Sequence, residues 1–152
     1  MRYPKEHKAR TRDRLIDASG GHAKKHGFAA TGMDAMAAAA DVTTGSLYRH
    51  FDGKSELFAC VVQAELQRTA ERFATIDPDD RTAALRALHA YLGRHHVEHP
   101  ELGCPLPALT SEVARADDRV RTAFQSGLQE LHATLERLTG WGERAWALIA
   151  QS

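Results

Sequence analysis

Apolar residues recur along this chain at intervals of three and four, the spacing of one helix face, and no stretch shows sustained strand-like alternation of β-branched residues. Leu15, Ile16, Ala18 and Ala23 predict the inward face of a helix over 8–26, with Gly27 as its C-terminal stop. A small apolar run, Met33 to Ala40, predicts a short helix suited to close helix–helix contact. Asp41-Val42-Thr43 breaks it, and Thr44 to His50 makes a second short helix. Asp52-Gly53 turns the chain into a long helix from Lys54 to about Ile76, with Leu57, Phe58, Val61, Val62, Leu66 and Phe73 on its apolar stripe. Asp77-Pro78-Asp79-Asp80 reads as a linker. A helix over 81–98 follows, with Leu85, Leu88, Leu92 and Val97 inward, stopped at His99-Pro100. Further helices are expected over 105–116 (Leu106, Leu109, Val113) and over 117–139 (Val120, Phe124, Leu128, Leu131, Leu135, Leu138), the second ended by Gly140. A last one begins at Glu143. The predicted class is all-α.

The two short helices carry the sharpest signal. Thr31, followed three residues later by Asp34, predicts a capped helix start with a carboxylate near the positive helix end. Thr43 is expected to cap the second helix. Two short helices joined by a tight turn match a helix-turn-helix, whose second helix enters the DNA major groove. In that second helix Leu47 and Phe51 share an inward stripe, which leaves Thr44, Gly45, Ser46, Tyr48, Arg49 and His50 around the other faces. No acidic residue occurs between Asp41 and Asp52, so the exposed face suits a polyanion. A short capped connector with a partly buried Tyr48 is the plainer alternative.

Charge sharpens the picture. Residues 1–54 hold ten Lys/Arg against six Asp/Glu, whereas residues 55–152 hold ten against fourteen, although the whole chain is neutral. A basic head on an acidic body directs the head toward nucleic acid. Arg2, Lys5, Lys8, Arg10, Arg12 and Arg14 are candidates for phosphate or minor-groove contact, or form a solvated basic helix start. Arg49 can present two parallel donors to a guanine edge, or can contact phosphate. Tyr48, His50 and Lys54 suit phosphate oxygens, and Thr31 and Thr43 can cap and touch phosphate at once. The two cysteines, Cys60 and Cys104, argue for a reducing compartment. No apolar run is long enough to span a bilayer, and the N-terminus does not read as a signal peptide, so a cytoplasmic location is expected. No nucleophile triad, Gly-rich phosphate loop or paired carboxylate cluster stands out, so neither an enzyme nor a cofactor is expected.

The segment Gly27 to Phe58 resembles the DNA-binding domain of the TetR family of bacterial one-component repressors. The resemblance rests on Gly27-Phe28, Thr31, the Ala-rich helix, Val42, Gly45, Leu47-Tyr48, Phe51, Lys54 and Leu57-Phe58. Gly103-Cys104-Pro105 through Leu109, with Glu112, resembles more weakly the ligand-binding domain of one subgroup. The chain departs at Thr44, where many relatives carry Lys or Ser. It departs again at Gly20-Gly21, which implies either close packing or a locally soft first helix.

The resemblance implies a three-helix DNA-binding domain over 1–53 and a helical regulatory, ligand-binding and dimerisation domain over 54–152. It implies a homodimer on a palindromic operator in double-stranded DNA, with Thr31, Thr43, Thr44, Gly45, Tyr48, Arg49, His50 and Lys54 at the DNA face. It also implies repression relieved by a small molecule bound between the later helices. Polar or aromatic groups on apolar faces make His89, Tyr91, His95, Cys104, Phe124 and Trp146 the candidate pocket residues. His95 and His99, one turn apart, with Cys104 would suit a metal, but Pro100 biases His99 away from helical geometry and no second Cys/His pair is near, so no metal site is expected. The run from Trp141 to Ser152 starts an apolar helix without a stop. Similar proteins continue through helices that form a four-helix dimer interface, so the chain is expected to be a truncated member, or one whose last part is missing from the sequence; ending at Ser152 it is expected to dimerise weakly or to expose an apolar patch, with Trp146, Leu148 and Ile149 left without a partner. A helical ligand-binding or protein-interaction module without specific operator binding is the alternative function.

Overall fold

The computed structural model describes residues 5–151, with side chains from His7 onward, so the tail candidate Arg2 and the side chain of Lys5 lie outside what can be described, as does Ser152. The described residues form nine α-helices and no strand: α1 (Lys5–His26), α2 (Met33–Ala39), α3 (Thr44–Tyr48), α4 (Lys54–Ala74), α5 (Arg81–Tyr91), α6 (Arg94–Glu98), α7 (Leu106–Val113), α8 (Asp118–Thr139) and α9 (Ala145–Ala150). Short 3-10 turns at Pro100–Leu102 and Gly142–Arg144 precede α7 and α9.

Helix α4 is the axis of the fold. Its stripe residues Leu57, Phe58, Val61, Val62, Leu66 and Phe73 are all buried, mostly against α8, which contributes Val120, Phe124, Leu131, Leu135 and Leu138. The two helices approach closely because Gly127 faces Leu66: a Cβ at Gly127 would lie 2.8 Å from the Leu66 side chain. The other end of α4 packs on α1, and Phe28 stacks on Phe58 at 4.1 Å. Helix ends follow local chemistry. Asp80 and Asp117 accept hydrogen bonds from Ala83 N and Val120 N, and Gly27 and Gly140 end α1 and α8 with positive φ.

The helix expected over 81–98 is two helices. Gly93 takes an extended conformation between α5 and α6, where a Cβ would meet the His89 carbonyl at 2.7 Å. With the break, the proposed stripe dissolves: Leu88 is buried, but Leu85, Leu92 and Val97 are exposed, Val97 by 77%. The Gly20-Gly21 pair divides sharply. A Cβ on Gly20 would sit 2.5 Å from Glu65 Oε1, whereas one on Gly21 would meet nothing within 4 Å. Close packing therefore explains the first glycine and not the second. The run after Trp141 also has partners: Leu148 is buried, Ile149 packs on the core, and Trp146 stacks on the His132 ring of α8 at 4.2 Å. No described helix is long and apolar enough to cross a membrane.

Candidate functional site

Helices α2 and α3 form the expected pair. The turn between them is set by Asp41 in the left-handed region (φ 55°). Thr43 caps α3, its hydroxyl accepting from Ser46 N at 3.1 Å. Leu47 and Phe51 are buried beneath α3, as their spacing requires. On the outer side Gly45, Tyr48 and Arg49 are exposed, Tyr48 by 54%. A Cβ on Gly45 would meet only open space, so packing within the chain does not demand a glycine there.

Helix α3 is shorter than the expected Thr44–His50, and several assigned roles change. The N-cap of α2 is Gly32, without a side-chain cap, and not Thr31. Thr31 is buried, and its hydroxyl donates to the Gly27 carbonyl at 2.6 Å, so it braces the loop from within. Asp34 accepts from the Thr44 hydroxyl at 2.6 Å, tying α2 to α3 and engaging that hydroxyl's proton. Lys54 is half-buried: its ammonium donates to the Ala29 carbonyl at 2.9 Å and lies 5.5 Å from the Phe28 ring centre.

The basic start of α1 also divides. Arg12 turns inward, where it pairs with Glu56 at 3.1 Å, contacts Cys60 Sγ and covers the Phe51 ring at 4.4 Å. Arg14 donates to the Ala40 carbonyl at the end of α2. These two arginines hold the head together. Arg10 is exposed. Lys8 faces α3 across a groove of about 590 Å³ lined by His7, Lys8, Thr11, Ser46, Arg49 and His50, with no carboxylate on its walls. His50 is half-buried with its Nδ1 enclosed. Burial first, then Lys8, Arg12 and Arg49, lower its pKa below the ordinary imidazole value. Sequence reasoning named Lys8, Arg49 and His50 but missed that α1 and α3 bring them together with Ser46, because that proximity is not encoded in local periodicity.

A second concavity, about 460 Å³, opens between α4, α5 and the segment from α6 to Cys104. Of the six proposed pocket residues it contains Tyr91, His95 and Cys104. His89 is exposed, Phe124 belongs to the α4–α8 core, and Trp146 lies on His132; none of these three lines this cavity. The walls instead include Arg72, Phe73, Ile76, His96, His99 and Leu102. Phe73 and His96 both meet Tyr91 edge-on at 5.2 Å. The Cys104 thiol is buried and its pKa is raised by that burial. No group of three or more metal-ligating side chains occurs among the described residues.

The cavity is fastened to the head. Lys24 of α1 is buried, with its ammonium 2.5 Å from Glu65 Oε2 and 2.9 Å from the carbonyl of Gly103 in the cavity wall. A Cβ on Gly103 would lie 3.1 Å from the His96 ring, so the ring rests directly on the residue that Lys24 holds. Glu112 of α7 makes a second tie, accepting from Phe28 N at 3.0 Å and from Ala29 N.

A two-helix unit whose second helix is capped by Thr43 and carries no carboxylate, set on a third helix, has the layout of a helix-turn-helix DNA-binding domain. A family model described as bacterial regulatory proteins, tetR family, matches residues 15–61. The chain is 32% identical over 92 residues to the HTH-type transcriptional repressor SCO4008 of Streptomyces coelicolor, a match covering 60% of this chain and 45% of that protein. It is 39% identical over 61 residues to the repressor KstR of Rhodococcus jostii, covering 40% and 29% respectively. By these matches, the helix-turn-helix domain of this chain is similar to that of TetR-family regulators. Its match spans less than half the length of these curated relatives. In fold it is similar to a tetR-family transcriptional regulator from Streptomyces coelicolor (TM-score 0.70, 20% identity, 94% of this chain and 68% of that one). It is also similar to the reduced form of NemR from E. coli (TM-score 0.65, 20% identity, 84% and 69%).

Proposed function

We propose that this chain is a ligand-responsive transcriptional regulator: a cytoplasmic repressor, not an enzyme, released from a palindromic operator by a small molecule. Its head, 1–53, binds DNA, and its body, 54–152, binds the effector and supports a homodimer, with the part-exposed Trp141 and Trp146 near the interface. Thr43 and Gly45 set the start of α3 against the duplex, Arg49 reads a base edge, and Tyr48, His50 and Lys8 take phosphate. Thr44 and Lys54 act chiefly by holding the head in shape. The observation that carries this reading is the pairing of a carboxylate-free groove at α3 with a cavity whose wall is hydrogen-bonded to α1 through Lys24. The curated relatives are named as repressors, which weighs against a module that binds no operator.

The test is a selection of duplexes from a random library, followed by a salt titration on the winner. A regulator shows a recovered palindrome and an affinity that falls steeply with salt, and a module without operator binding shows neither. Sedimentation of the chain with and without the duplex reads the dimer.

A further inference from the structure

The second cavity has an uneven lining. Phe73, Tyr91 and Leu102 give it apolar walls, Arg72 and His96 bring donors, and no carboxylate is among its lining residues. Arg72 donates one N–H to the Leu102 carbonyl at 3.1 Å, while a guanidinium carries five such donors in a planar fork that matches a carboxylate. His96 Nε2 is enclosed and has no hydrogen-bond partner among the described residues. A buried polar nitrogen left in that state is costly, and a small rotation of the ring off Gly103 toward the cavity would let a ligand oxygen satisfy it. The neighbouring charges set the stoichiometry. Nearby Lys24 is neutralised by Glu65, and His99 has Glu101 at 3.7 Å, whereas the lining residue Arg72 pairs with no carboxylate among the described residues.

We infer that this cavity takes an amphipathic organic monoanion, a single carboxylate on an apolar body, with the carboxylate held by Arg72 and His96 and the body against Phe73 and Tyr91. The inference rests on reading this cavity as the effector site. Its volume falls within the range of small-molecule pockets. An ammonium ligand would face Arg72 and gain no carboxylate, and a polyphosphate would bring more charge than one guanidinium offsets. His96 prefers its neutral form because of burial, Lys24 and Arg72, and a carboxylate at Nε2 opposes the last two of these. Since His96 rests on Gly103, and Gly103 is held by Lys24, the carboxylate end is also the end tied to α1.

The experiment uses the full chain and a matched panel: octanoate, dodecanoate and naphthoate, each beside its primary amide and its amine. Binding is measured by calorimetry and thermal shift without DNA. At least one carboxylate is expected to bind about tenfold or more tightly than its amide, the gain of a charge-assisted hydrogen bond. Arg72→Gln and His96→Gln should each erode that preference, and Arg72→Glu, at an exposed position, should move it toward the amine. Amides or amines binding as tightly as carboxylates, no binding by any of the panel, or a preference that survives Arg72→Glu overturns the inference. A parallel DNA-release assay separates the two readings. Carboxylate binding that leaves DNA affinity unchanged refutes ligand-responsiveness and keeps the ligand class, whereas release by amines alone does the reverse.

Discussion

Removing Glu65 should cost this protein more than removing its buried partner Lys24, although both are ends of one ion pair. The two side chains are 3% and 2% exposed, and their charged atoms are 2.5 Å apart. They differ in what remains when the other is gone. Without Glu65, the Lys24 ammonium keeps only the Gly103 carbonyl, and an uncompensated buried charge costs about 3–5 kcal/mol. Without Lys24, Glu65 keeps Arg68 at 2.6 Å, which reaches in from a part-exposed position and also pairs with Asp17. Its carboxylate stays hydrogen-bonded to a cation, so Lys24→Met should cost roughly 1–3 kcal/mol, the range for a lost buried hydrogen-bond partner. Changing both, Lys24→Met with Glu65→Leu, should recover most of the loss, because an apolar pair of similar volume is often as stable as a buried ion pair. Against a total stability of about 5–15 kcal/mol, these differences are readily resolved. Urea unfolding followed by far-UV circular dichroism, with midpoints compared at constant slope, is the assay. Equal costs for Glu65→Leu and Lys24→Met, or a double variant worse than either single one, would refute the account.

Three further outcomes are expected. Gly21→Ala should stabilise by up to about 1 kcal/mol through helix propensity, since its Cβ meets nothing. Gly20→Ala should destabilise despite the same propensity gain, because its Cβ would strike the Glu65 carboxylate; unfolding midpoints that move in the same direction would contradict this. Arg49→Ala should cost roughly 1–3 kcal/mol on the selected site and relax preference at one base pair, and equal losses on selected and scrambled duplexes would leave only a phosphate contact. For pH, burial is the largest cause lowering the pKa of His22, His50 and His96, so the folded state disfavours their charged forms. As pH falls the unfolded chain takes up protons first: the stability is fully present above about 6.5, the ordinary imidazole value, and is lost as pH drops through the depressed folded values. His96 contributes through its burial first and then through the field of Lys24 and Arg72, so His96→Gln should shallow the loss between neutral and mildly acidic pH in urea unfolding. Stability that rises on acidification would reverse the sign and sink the argument.

The parts of this protein legible in its sequence are those whose causes are local. Thr43 and Ser46 are three residues apart, so the cap of α3 is written in the chain. Leu47 and Phe51, one turn apart, must share a face, and the stripes of α4 and α8 are long enough that a packed partner could be assumed. The signal weakened where helices are short. Leu85, Leu92 and Val97 have helical spacing, but spacing only says that they share a side, and Gly93 ends the helix before that side finds a partner. Basic residues were the other limit: Arg12 and Arg14 read like Lys8, yet one meets Glu56 and the other the Ala40 carbonyl, partners 44 and 26 residues away. The same holds for the cavity. Arg72 and His96 lie on different helices, and Lys24 reaches Gly103 across 79 residues of chain. Helix type, the Thr43 cap and the exposed face of α3 follow from neighbours within a turn or two. Which charges are buried, which glycine is obligatory and which polar groups converge on one cavity depend on long-range packing, and only the tertiary structure decides them.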